Sequence, residues 1–343
     1  HDATGLESEK TYANGRGTVR TYDANNRLAT ETDARGIVTT YTWNAAQGLL
    51  TRIGFSDGTP EQAFSYNILG QLTQVTDASG IRTFSYNEYS DPVQDSVTVN
   101  GAVFPLVETL DGYGRSIGYI LKRGASGNAQ IASWGYAPDG RINSAGFMHS
   151  GQNRIFEYNY LAGSNLLETL TIPNGMTLEQ SYEAKRDLLA DMDYNRGTTL
   201  VSRRAYAYDA LGRPTARTLL RQGTTRRDVF SYNGRSELAA ATLGTDAYAY
   251  DYDNIGNRKT AREIEEEFAY TANELNQYTR IEENAEAPFA PQYDASGNQT
   301  LIRTSTGVWT VVYNAANRAV SFTSRDGSTV VECGYDYQGR RYM

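Results

Sequence analysis

The sequence predicts an all-β protein, built as a repetitive meander of antiparallel β-hairpins. A tyrosine followed by Asp or Asn and a short turn recurs along the chain, as in Tyr22-Asp23-Ala24-Asn25-Asn26-Arg27-Leu28. Neighbouring copies are 18 residues apart at the closest (Tyr252 to Tyr270) and 26 at the widest (Tyr182 to Tyr208). A period in this range marks an array whose units bury apolar surface by stacking on one another.

We expect the architecture to depend on the tyrosine, the acid or amide beside it, and the glycine and arginine of the turn. These repeat residues are Tyr22, Asp23, Tyr66, Gly70, Tyr86, Tyr136, Gly140, Tyr208, Asp209, Gly212, Arg213, Tyr232, Tyr252, Asp253, Gly256, Tyr293, Asp294, Gly297, Tyr313 and Gly339. Copies with a degenerate pattern fall at Tyr41, Tyr86, Leu110-Asp111, Tyr136, Tyr158, Tyr182, Tyr232 and Tyr270.

Each unit reads as two strands joined by a tight turn. Residues 72–76 and 81–86 are rich in β-branched and aromatic residues, and Asp77-Ala78-Ser79-Gly80 between them has turn chemistry. Glycine supplies the positive φ that a tight hairpin requires. The Tyr-Asp turn then links one hairpin to the next, so about fifteen hairpins give ~30 strands, or ~140 Å of sheet measured across the strands.

An aromatic residue stands two positions before most repeat tyrosines, as Phe64 before Tyr66 and Phe84 before Tyr86. Side chains at i and i+2 of a strand share one face, so stacked hairpins should align aromatic rows. In the structural interpretation, these rows are partly exposed to water and only stabilise the sheet. The excess of tyrosine over phenylalanine, 26 against 10, fits this, because a tyrosine ring is apolar and its hydroxyl is polar. The alternative is an exposed strip that stacks on sugars or binds peptides.

Composition supports one continuous array over residues 1–343, since no Pro/Gly/Ser-rich linker interrupts the repeat. A hydrophobic fraction of 39% and a mean hydropathy of −0.56 suit a single-layer sheet. The formal charge of −8 with scattered Lys and Arg argues against nucleic acid, and no stretch is apolar enough to span a membrane. Two segments stand out: residues 282–291 as an irregular excursion, and Glu179 to Met192 as the one weak helix candidate.

The sequence offers little for chemistry, so we expect no enzyme, no metal site and no cofactor. Its two histidines are His1 and His149, and the latter lies in a predicted hairpin turn. The single cysteine, Cys333, excludes an internal disulfide, and with so few Cys and His residues a zinc site is excluded too. Residues 251–257 superficially resemble a calcium loop, but they lack the completing Glu and coincide with a repeat turn.

Tyr-Asp-x-x-Gly-Arg-Leu at this spacing resembles the YD repeats of the Rhs family, which includes polymorphic toxins, toxin-complex B and C components and teneurins. The resemblance covers the chain from about Tyr12 to Tyr342. It implies a strip of hairpins that spirals into a hollow, barrel-like shell around a C-terminal toxin domain or other protein cargo, in a secreted or cell-surface protein. The self-trimming C-terminal boundary of the family is not found here, since the only Asp-Pro is Asp91-Pro92 inside a repeat turn.

Two functions therefore remain open at this stage: a shell segment that encloses cargo, and a surface adhesion module that binds glycan or protein through exposed aromatics. Both ends fall inside the repeat, which predicts a fragment of a longer chain whose flanking parts are partners. The first strand, near Thr18–Tyr22, and the last, near 330–335, are then unpaired edges, and we expect edge-to-edge self-association.

Overall fold

All regular elements in the described part of the chain are β-strands, which confirms the predicted all-β class. The structure is a computed structural model that describes residues 1–121, 130–284 and 286–343. None of these residues lies in a helix, so none belongs to a helix that could span a bilayer. The strands are β1 (Glu9–Thr11), β2 (Gly17–Tyr22), β3 (Leu28–Thr32), β4 (Val38–Trp43), β5 (Leu50–Phe55), β6 (Gln62–Tyr66), β7 (Leu72–Asp77), β8 (Gly80–Tyr86), β9 (Pro92–Val99), β10 (Ala102–Leu110), β11 (Ser116–Leu121), β12 (Gln130–Tyr136), β13 (Ile142–His149), β14 (Gln152–Tyr160), β15 (Leu167–Ile172), β16 (Met176–Tyr182), β17 (Leu189–Arg196), β18 (Thr199–Tyr208), β19 (Pro214–Arg221), β20 (Thr224–Tyr232), β21 (Leu238–Leu243), β22 (Asp246–Tyr252), β23 (Arg258–Glu263), β24 (Glu266–Ala272), β25 (Tyr278–Glu283), β26 (Gln292–Tyr293), β27 (Gln299–Thr304), β28 (Gly307–Tyr313), β29 (Ala319–Ser324) and β30 (Val330–Glu332).

Strands that follow one another in sequence pair antiparallel, as β2 with β3 and β18 with β19. β1–β25 belong to one sheet and β26–β30 to a second. Two kinds of turn alternate along the meander. We call the turn from an odd to an even strand a hairpin turn, and the Tyr-Asp turn from an even to an odd strand an inter-hairpin turn. Since the two alternate, they lie at opposite ends of the strands.

The chain divides into two compact units. Unit 1 comprises His1–Pro105 and Tyr270–Met343, and unit 2 comprises Leu106–Ala269. Unit 1 thus brings together distant parts of the chain: Arg35 donates a hydrogen bond to the carbonyl oxygen of Tyr313, which lies 278 residues later in the sequence. This division describes compactness and does not test whether the repeat is continuous, so the single array over residues 1–343 stays a prediction.

Little of the chain is buried. Its accessible surface is 20968 Å², against about 14,000 Å² for a compact monomer of 37.9 kDa. The buried apolar side chains are few and spread along the repeat: Val75, Leu178, Ala216, Ala241, Ala261, Phe289, Val311 and Cys333. Each strand therefore gains its burial from its sheet neighbours, as the hydropathy of the sequence indicated.

The weak helix prediction for Glu179 to Met192 is wrong. These residues form the end of β16, a turn, and the start of β17. β16 and β17 pair from Met176↔Arg196 to Tyr182↔Leu189, and Leu178 is buried between its neighbours. Strand pairing on both sides outweighs the modest helix propensity of Glu, Ala, Lys and Leu.

The predicted ends also need correction. The first strand is β1, ahead of the predicted Thr18–Tyr22, and it pairs with β2 through Lys10↔Thr18. The last strand, β30, is shorter than predicted and is followed by one isolated bridge between Tyr335 and Arg341. Near residues 282–291 the chain leaves one sheet and enters the other, with a bridge from Ile281 to Phe289; Ala285 lies outside the described residues.

Candidate functional site

The inter-hairpin turn is built around the side chain of its Asp or Asn. Asp209 Oδ1 accepts the backbone N–H groups of Leu211 at 2.9 Å and Arg213 at 3.0 Å, and its Oδ2 accepts Arg213 Nε at 2.6 Å. Gly212 lies between them at φ +80°. The acid therefore satisfies two amides that the sharp turn leaves without a strand partner. The same pair of amide bonds occurs at Asp23, Asn67, Asn87, Asp111, Asp253, Asn273, Asp294 and Asp336.

The residue four positions later complements the first residue of the turn. Where the turn begins with Asp, the later side chain donates to its Oδ2: Arg27, Arg115, Arg213, Asn257, Asn298 and Arg340. In four turns that begin with Asn, the later side chain accepts from its Nδ2: Gln71, Asp91, Glu237 and Gln277. In the Asn314 turn the later residue is Arg318, whose backbone N–H donates to Asn314 Oδ1. Sequence reasoning missed this matching, although Asp with Arg and Asn with Gln or Glu were visible at that spacing.

The repeat tyrosine closes the open end of its hairpin. Tyr252, the last residue of β22, donates its hydroxyl to the carbonyl oxygen of Leu238, the first residue of β21, at 2.9 Å. The same bond joins Tyr66 to Leu50, Tyr86 to Leu72, Tyr136 to Ser116, Tyr182 to Leu167, Tyr208 to Leu189, Tyr232 to Pro214 and Tyr313 to Gln299. Tyr22 donates in the same way to Glu7. We call this contact the tyrosine lock.

Three degenerate copies are placed differently from the sequence prediction. Trp43, not Tyr41, fills the lock position and donates Nε1 to the Leu28 carbonyl at 2.8 Å. Tyr160, not Tyr158, donates to Ile142 at 2.7 Å. Ala272, not Tyr270, directly precedes the Asn273 turn. Tyr41 and Trp43, like Tyr158 and Tyr160, are two residues apart on one strand face, so aromatic spacing alone does not tell which of them ends the strand.

The other repeat residues lie at strand ends and in turns. Tyr293 ends β26, and Asp23, Asp209, Asp253 and Asp294 open their turns. The turn glycines all have positive φ: Gly70, Gly140, Gly212, Gly256, Gly297 and Gly339.

Removing the hydroxyl of one lock should cost a measurable amount of stability. We expect Tyr252→Phe to lower the free energy of unfolding by about 1 kcal/mol, because the Leu238 carbonyl loses its hydrogen-bond donor in a half-buried site. Tyr250→Phe is the matched control, since Tyr250 lies on the same strand and its burial raises the pKa of its phenol. Urea unfolding of both variants measures the difference; equal losses would contradict the assignment of the lock.

Arginines link each inter-hairpin turn to the next repeat. The Arg213 guanidinium lies 4.8 Å from the ring centroid of Tyr232, the lock residue of the following hairpin. Arg115 over Tyr136 and Arg141 over Tyr160 repeat this contact at 4.2 and 4.8 Å. Each such cation–π contact contributes roughly 0.5–1 kcal/mol at a partly exposed site. The polar repeat side chains are therefore used in holding the array together.

Most aromatic residues on the strand faces are half-buried. Tyr119 packs against Trp134 with centroids 5.2 Å apart, and Phe147 packs against Phe156 at 6.2 Å. Among the described residues the exposed aromatics are Tyr89, Tyr113, Phe147 and Tyr342. Two of them, Tyr89 and Tyr113, lie at the tips of inter-hairpin turns rather than on a strand face.

The candidates for chemistry are not brought together. His149 is exposed at the end of β13, and Cys333 is buried in unit 1. Asp253 is engaged by Ile255 N–H and Asn257, while Asp251 faces Lys259 Nζ at 3.3 Å. The described residues contain no group of three or more Cys, His, Asp and Glu side chains that could hold a metal ion.

Inside unit 1, the inter-hairpin turns of β26–β30 dock on the hairpin turns of β3–β8. We call this contact the seam. Arg35 donates to the carbonyl oxygens of Tyr313, Asn314 and Ala315 at 3.0–3.4 Å. The other hydrogen bonds of the seam run from Ser296 Oγ to Asp33, from Ala315 N–H to Thr59 Oγ1, from Tyr337 N–H to Asp77 Oδ2 and from Tyr342 Oη to Ala78 O. Phe64 and Tyr337 add a T-shaped ring contact at 6.2 Å.

The seam leaves a cavity of about 580 Å³. It is lined from one side by Thr59, Pro60 and Gln62 and from the other by Tyr313, Cys333 and Tyr342, among others. Because the residues that line the cavity belong to the turns that meet at the seam, we interpret the cavity as a packing gap of this contact and not as a separate site.

Acid should weaken the array through its turn carboxylates. The backbone N–H and side chain of Arg213 hold the pKa of Asp209 below its ordinary value of 3.8, and bonds from Ser324 and Ser328 lower the pKa of Asp326 to about 2. For Asp336, burial opposes ionisation but the hydrogen bonds from Arg340 outweigh it, so the pKa is lowered too.

A folded-state pKa below the unfolded one contributes stability that is present above the unfolded pKa and is lost as pH falls through the folded value. We therefore expect the thermal midpoint to be insensitive to these groups at neutral pH and to fall below about pH 4. Asp209→Asn should flatten that fall, and thermal scans across a pH series measure both. A midpoint unchanged down to pH 2 would contradict this assignment.

Comparison with known proteins supports the same repeat. Residues 1–38 and 22–60 match the family model described as RHS Repeat. No curated protein shows significant similarity to the chain. Among solved structures, the crystal structure of TcdB2-TccC3 has 15% sequence identity and a TM-score of 0.74 over 98% of this chain and 20% of that one. The Photorhabdus luminescens Tc holotoxin pore has 14% sequence identity and a TM-score of 0.73 over 98% of this chain and 19% of that one. The TcdB2-TccC3-Cdc42 complex has 15% sequence identity and a TM-score of 0.72 over 97% of this chain and 20% of that one.

The chain spans about a fifth of the length of these solved chains. At such identities the likeness shows a shared fold. It nevertheless covers nearly the whole chain, and the family model matches where the first Tyr-Asp unit lies. The family model thus shows the RHS repeat at residues 1–60, and the Tyr-Asp unit recurs through a chain that shares its fold with these structures over nearly its whole length.

Proposed function

We propose that the chain is a wall segment of an Rhs-type shell that encloses a toxin domain or another protein cargo, and that it carries out no chemistry of its own. The observation that carries this proposal is the large accessible surface of the chain relative to its mass. It builds strands and turns with an accessible surface of 20968 Å², well above the roughly 14,000 Å² of a compact protein of its mass. A wall needs area, whereas an enzyme needs a core that holds a site rigid.

The contacts of the repeat also favour a wall. Asp209 and Arg213 hold the turn, Tyr208 locks the hairpin, and Arg213 reaches the next repeat at Tyr232. These side chains have the charges and hydroxyls that catalysis would use, but their hydrogen bonds are already committed to structure. The seam supplies a way for one part of such a wall to rest on another through turns alone.

Partners and localisation follow from the same proposal. The partner is a protein cargo or a flanking part of the same polypeptide, and the setting is secreted or at the cell surface. The similarity to the Tc holotoxin pore of Photorhabdus luminescens supports this placement. Adhesion through aromatic strips is less well supported, because Phe147, with 39% exposure, is the exposed aromatic among the described strand-face residues.

A photo-cross-linking experiment tests enclosure. In the polypeptide as the native cell makes it, a photoreactive amino acid replaces Ala249 or Tyr250, neighbours on β22 whose side chains point to opposite faces. We expect one of the two positions, and not the other, to cross-link to a protein that resists added protease until the wall is unfolded. Mass spectrometry identifies that protein.

Two results would count against enclosure. Cross-links from neither face to any cargo would remove the support for a shell. Cross-links instead to external glycoproteins from a turn position such as Tyr113 would favour adhesion.

A further inference from the structure

The seam shows which backbone group of an inter-hairpin turn needs a partner. The Asx side chain accepts the amides two and four positions later, but not the amide directly after it. At the seam that amide is satisfied from outside: Ala315 N–H donates to Thr59 Oγ1 at 3.1 Å, and Tyr337 N–H to Asp77 Oδ2 at 2.6 Å. A hairpin turn thus completes an inter-hairpin turn.

The inter-hairpin turns of β6–β9 lie at the end of these strands that faces away from the seam, and no described hairpin turn covers their backbone amides. In the Asn67 and Asn87 turns, the equivalent amides of Ile68 and Glu88 meet no acceptor among the residues that the structure describes. Large apolar side chains crown the same turns: Ile68 is 94% exposed, Leu69 73% and Tyr89 78%. At the seam, Ala315 and Tyr337 take the positions of Ile68 and Glu88, and both are half-buried. Grouped apolar side chains at such exposure mark an interaction site.

The hairpin turn of β29–β30 repeats the turn that receives Ala315. In Asp57-Gly58-Thr59, Thr59 N–H donates to Asp57 Oδ1 at 2.9 Å and its hydroxyl to Oδ2 at 2.9 Å. In Asp326-Gly327-Ser328, Ser328 N–H donates to Asp326 Oδ1 at 3.1 Å and its hydroxyl to the same carboxylate at 2.9 Å. Gly58 and Gly327 both have positive φ, +86° and +72°. Ser328 therefore presents the acceptor that Thr59 presents at the seam.

The surroundings of Ser328 provide space and a donor. A hollow of about 650 Å³, lined by Thr306, Gly307, Val308, Ser324, Arg325 and Asp326, lies beside this turn. Arg325 is exposed, and its guanidinium meets no hydrogen-bond or ion-pair partner in the described part of the chain. At the seam Arg35 occupies a hairpin turn and donates to three carbonyl oxygens of the docked turn.

We propose that a second copy of this chain docks head to tail on unit 1, with its Asp326-Gly327-Ser328 turn on the Asn67 and Asn87 inter-hairpin turns. Ser328 Oγ accepts Ile68 N–H, Arg325 donates to carbonyl oxygens of the docked turn, and Leu69 and Tyr89 fill the hollow. The occupant is a second copy because both complementary edges belong to the same chain. The contact is heterologous, so copies add in a row. It uses turns, unlike the strand-edge pairing of β1 and β30 expected from the sequence.

Two edge variants and one control test this docking. Leu69→Asp with Tyr89→Asp disables the inter-hairpin edge, and Thr306→Glu with Ser328→Glu disables the hairpin edge. Leu211→Asp is the matched control: it has the same turn position and 74% exposure, but it lies in unit 2. Sedimentation velocity across a concentration series follows association, and circular dichroism checks that each variant keeps its strands.

We expect the wild-type chain and the Leu211→Asp control to associate, and each edge variant to associate at least ~10-fold more weakly. Mixing the two edge variants should give a dimer with one copy of each, because each keeps one intact edge. A wild-type chain that stays monomeric throughout overturns the proposal. So does association that survives both pairs of edge substitutions, which would point to the strand edges. Should an aspartate variant lose its fold, Leu69→Ser with Tyr89→Ser replaces it.

Discussion

Replacing Gly80, in the hairpin turn before β8, by valine should destabilise unit 1 by about 3 kcal/mol or more. Gly80 opens β8 at φ +124°, where a β-branched residue is strained. A Cβ atom there would lie 2.3 Å from the carbonyl oxygen of Thr98 on β9. Since Thr98 belongs to the strand ladder that pairs Ile81 with it, relief requires moving backbone and not a side chain.

Gly58→Val separates the two causes. Gly58 also has a positive φ, +86°, but a Cβ atom there meets nothing within 4 Å. We expect it to lose only the backbone strain, about 1 kcal/mol. Gly212→Val should fall between the two, because its Cβ would touch Leu188 Cδ1 at 3.5 Å. His149→Ala, at an exposed strand end, should leave stability nearly unchanged. Urea unfolding ranks the four variants, and equal losses at Gly80 and Gly58 would contradict the role of Thr98.

The second large effect is expected at Asp228, a fully buried carboxylate in unit 2. Arg217 on β19 donates to Asp228 Oδ2 from Nε at 2.9 Å and from Nη2 at 2.6 Å. Arg226 also donates to Oδ2 from Nη2, at 3.3 Å, and its Nε lies 3.0 Å from Oδ1. Arg217→Ala leaves this charge buried with the more exposed Arg226 as its nearest cation. We expect a loss of about 3 kcal/mol.

Arg203→Ala is the control for Arg217→Ala. Arg203 pairs with Asp193 in a more exposed site, so its loss should be below about 1 kcal/mol. Asp228→Ala combined with Arg217→Ala should cost less than Arg217→Ala alone, since no buried charge then remains. A double variant as unstable as the sum of the single ones would show that the two residues act independently.

The pH dependence of the Arg217 variant supplies a further check. Burial opposes ionisation of Asp228, but the hydrogen bonds and charges of Arg217 and Arg226 together outweigh it and lower its pKa. Without Arg217 only Arg226 opposes the effect of burial, so the folded-state pKa of Asp228 rises and protonation relieves the variant. The deficit of Arg217→Ala relative to the wild type should therefore shrink as pH falls below about 4. A deficit that stays constant down to the acid transition would contradict this account.

The local architecture was readable in the sequence because its causes are local. A β-turn Asx residue acts on amides two and four positions away, so Tyr-Asp-x-x-Gly-Arg carries its own geometry, as Asp209, Gly212 and Arg213 illustrate. Alternation of aromatic and small residues likewise predicted the strands, whose side chains repeat every two residues. The failures were also local: Tyr158 and Tyr160 are two residues apart on the same face of β14, so a period of two does not resolve which of them forms the lock.

The sequence by itself determined the repeat, the strand meander and the alternation of its two kinds of turn, because each depends on residues within one hairpin or its neighbour. Only the tertiary structure decided which turns meet. Nothing in the spacing of Thr59 and Ala315, or of Asp77 and Tyr337, indicates that their groups hydrogen-bond across more than 250 residues. Such contacts depend on the curvature accumulated over many strands, and small changes of twist at each pair sum to a displacement that no single repeat encodes.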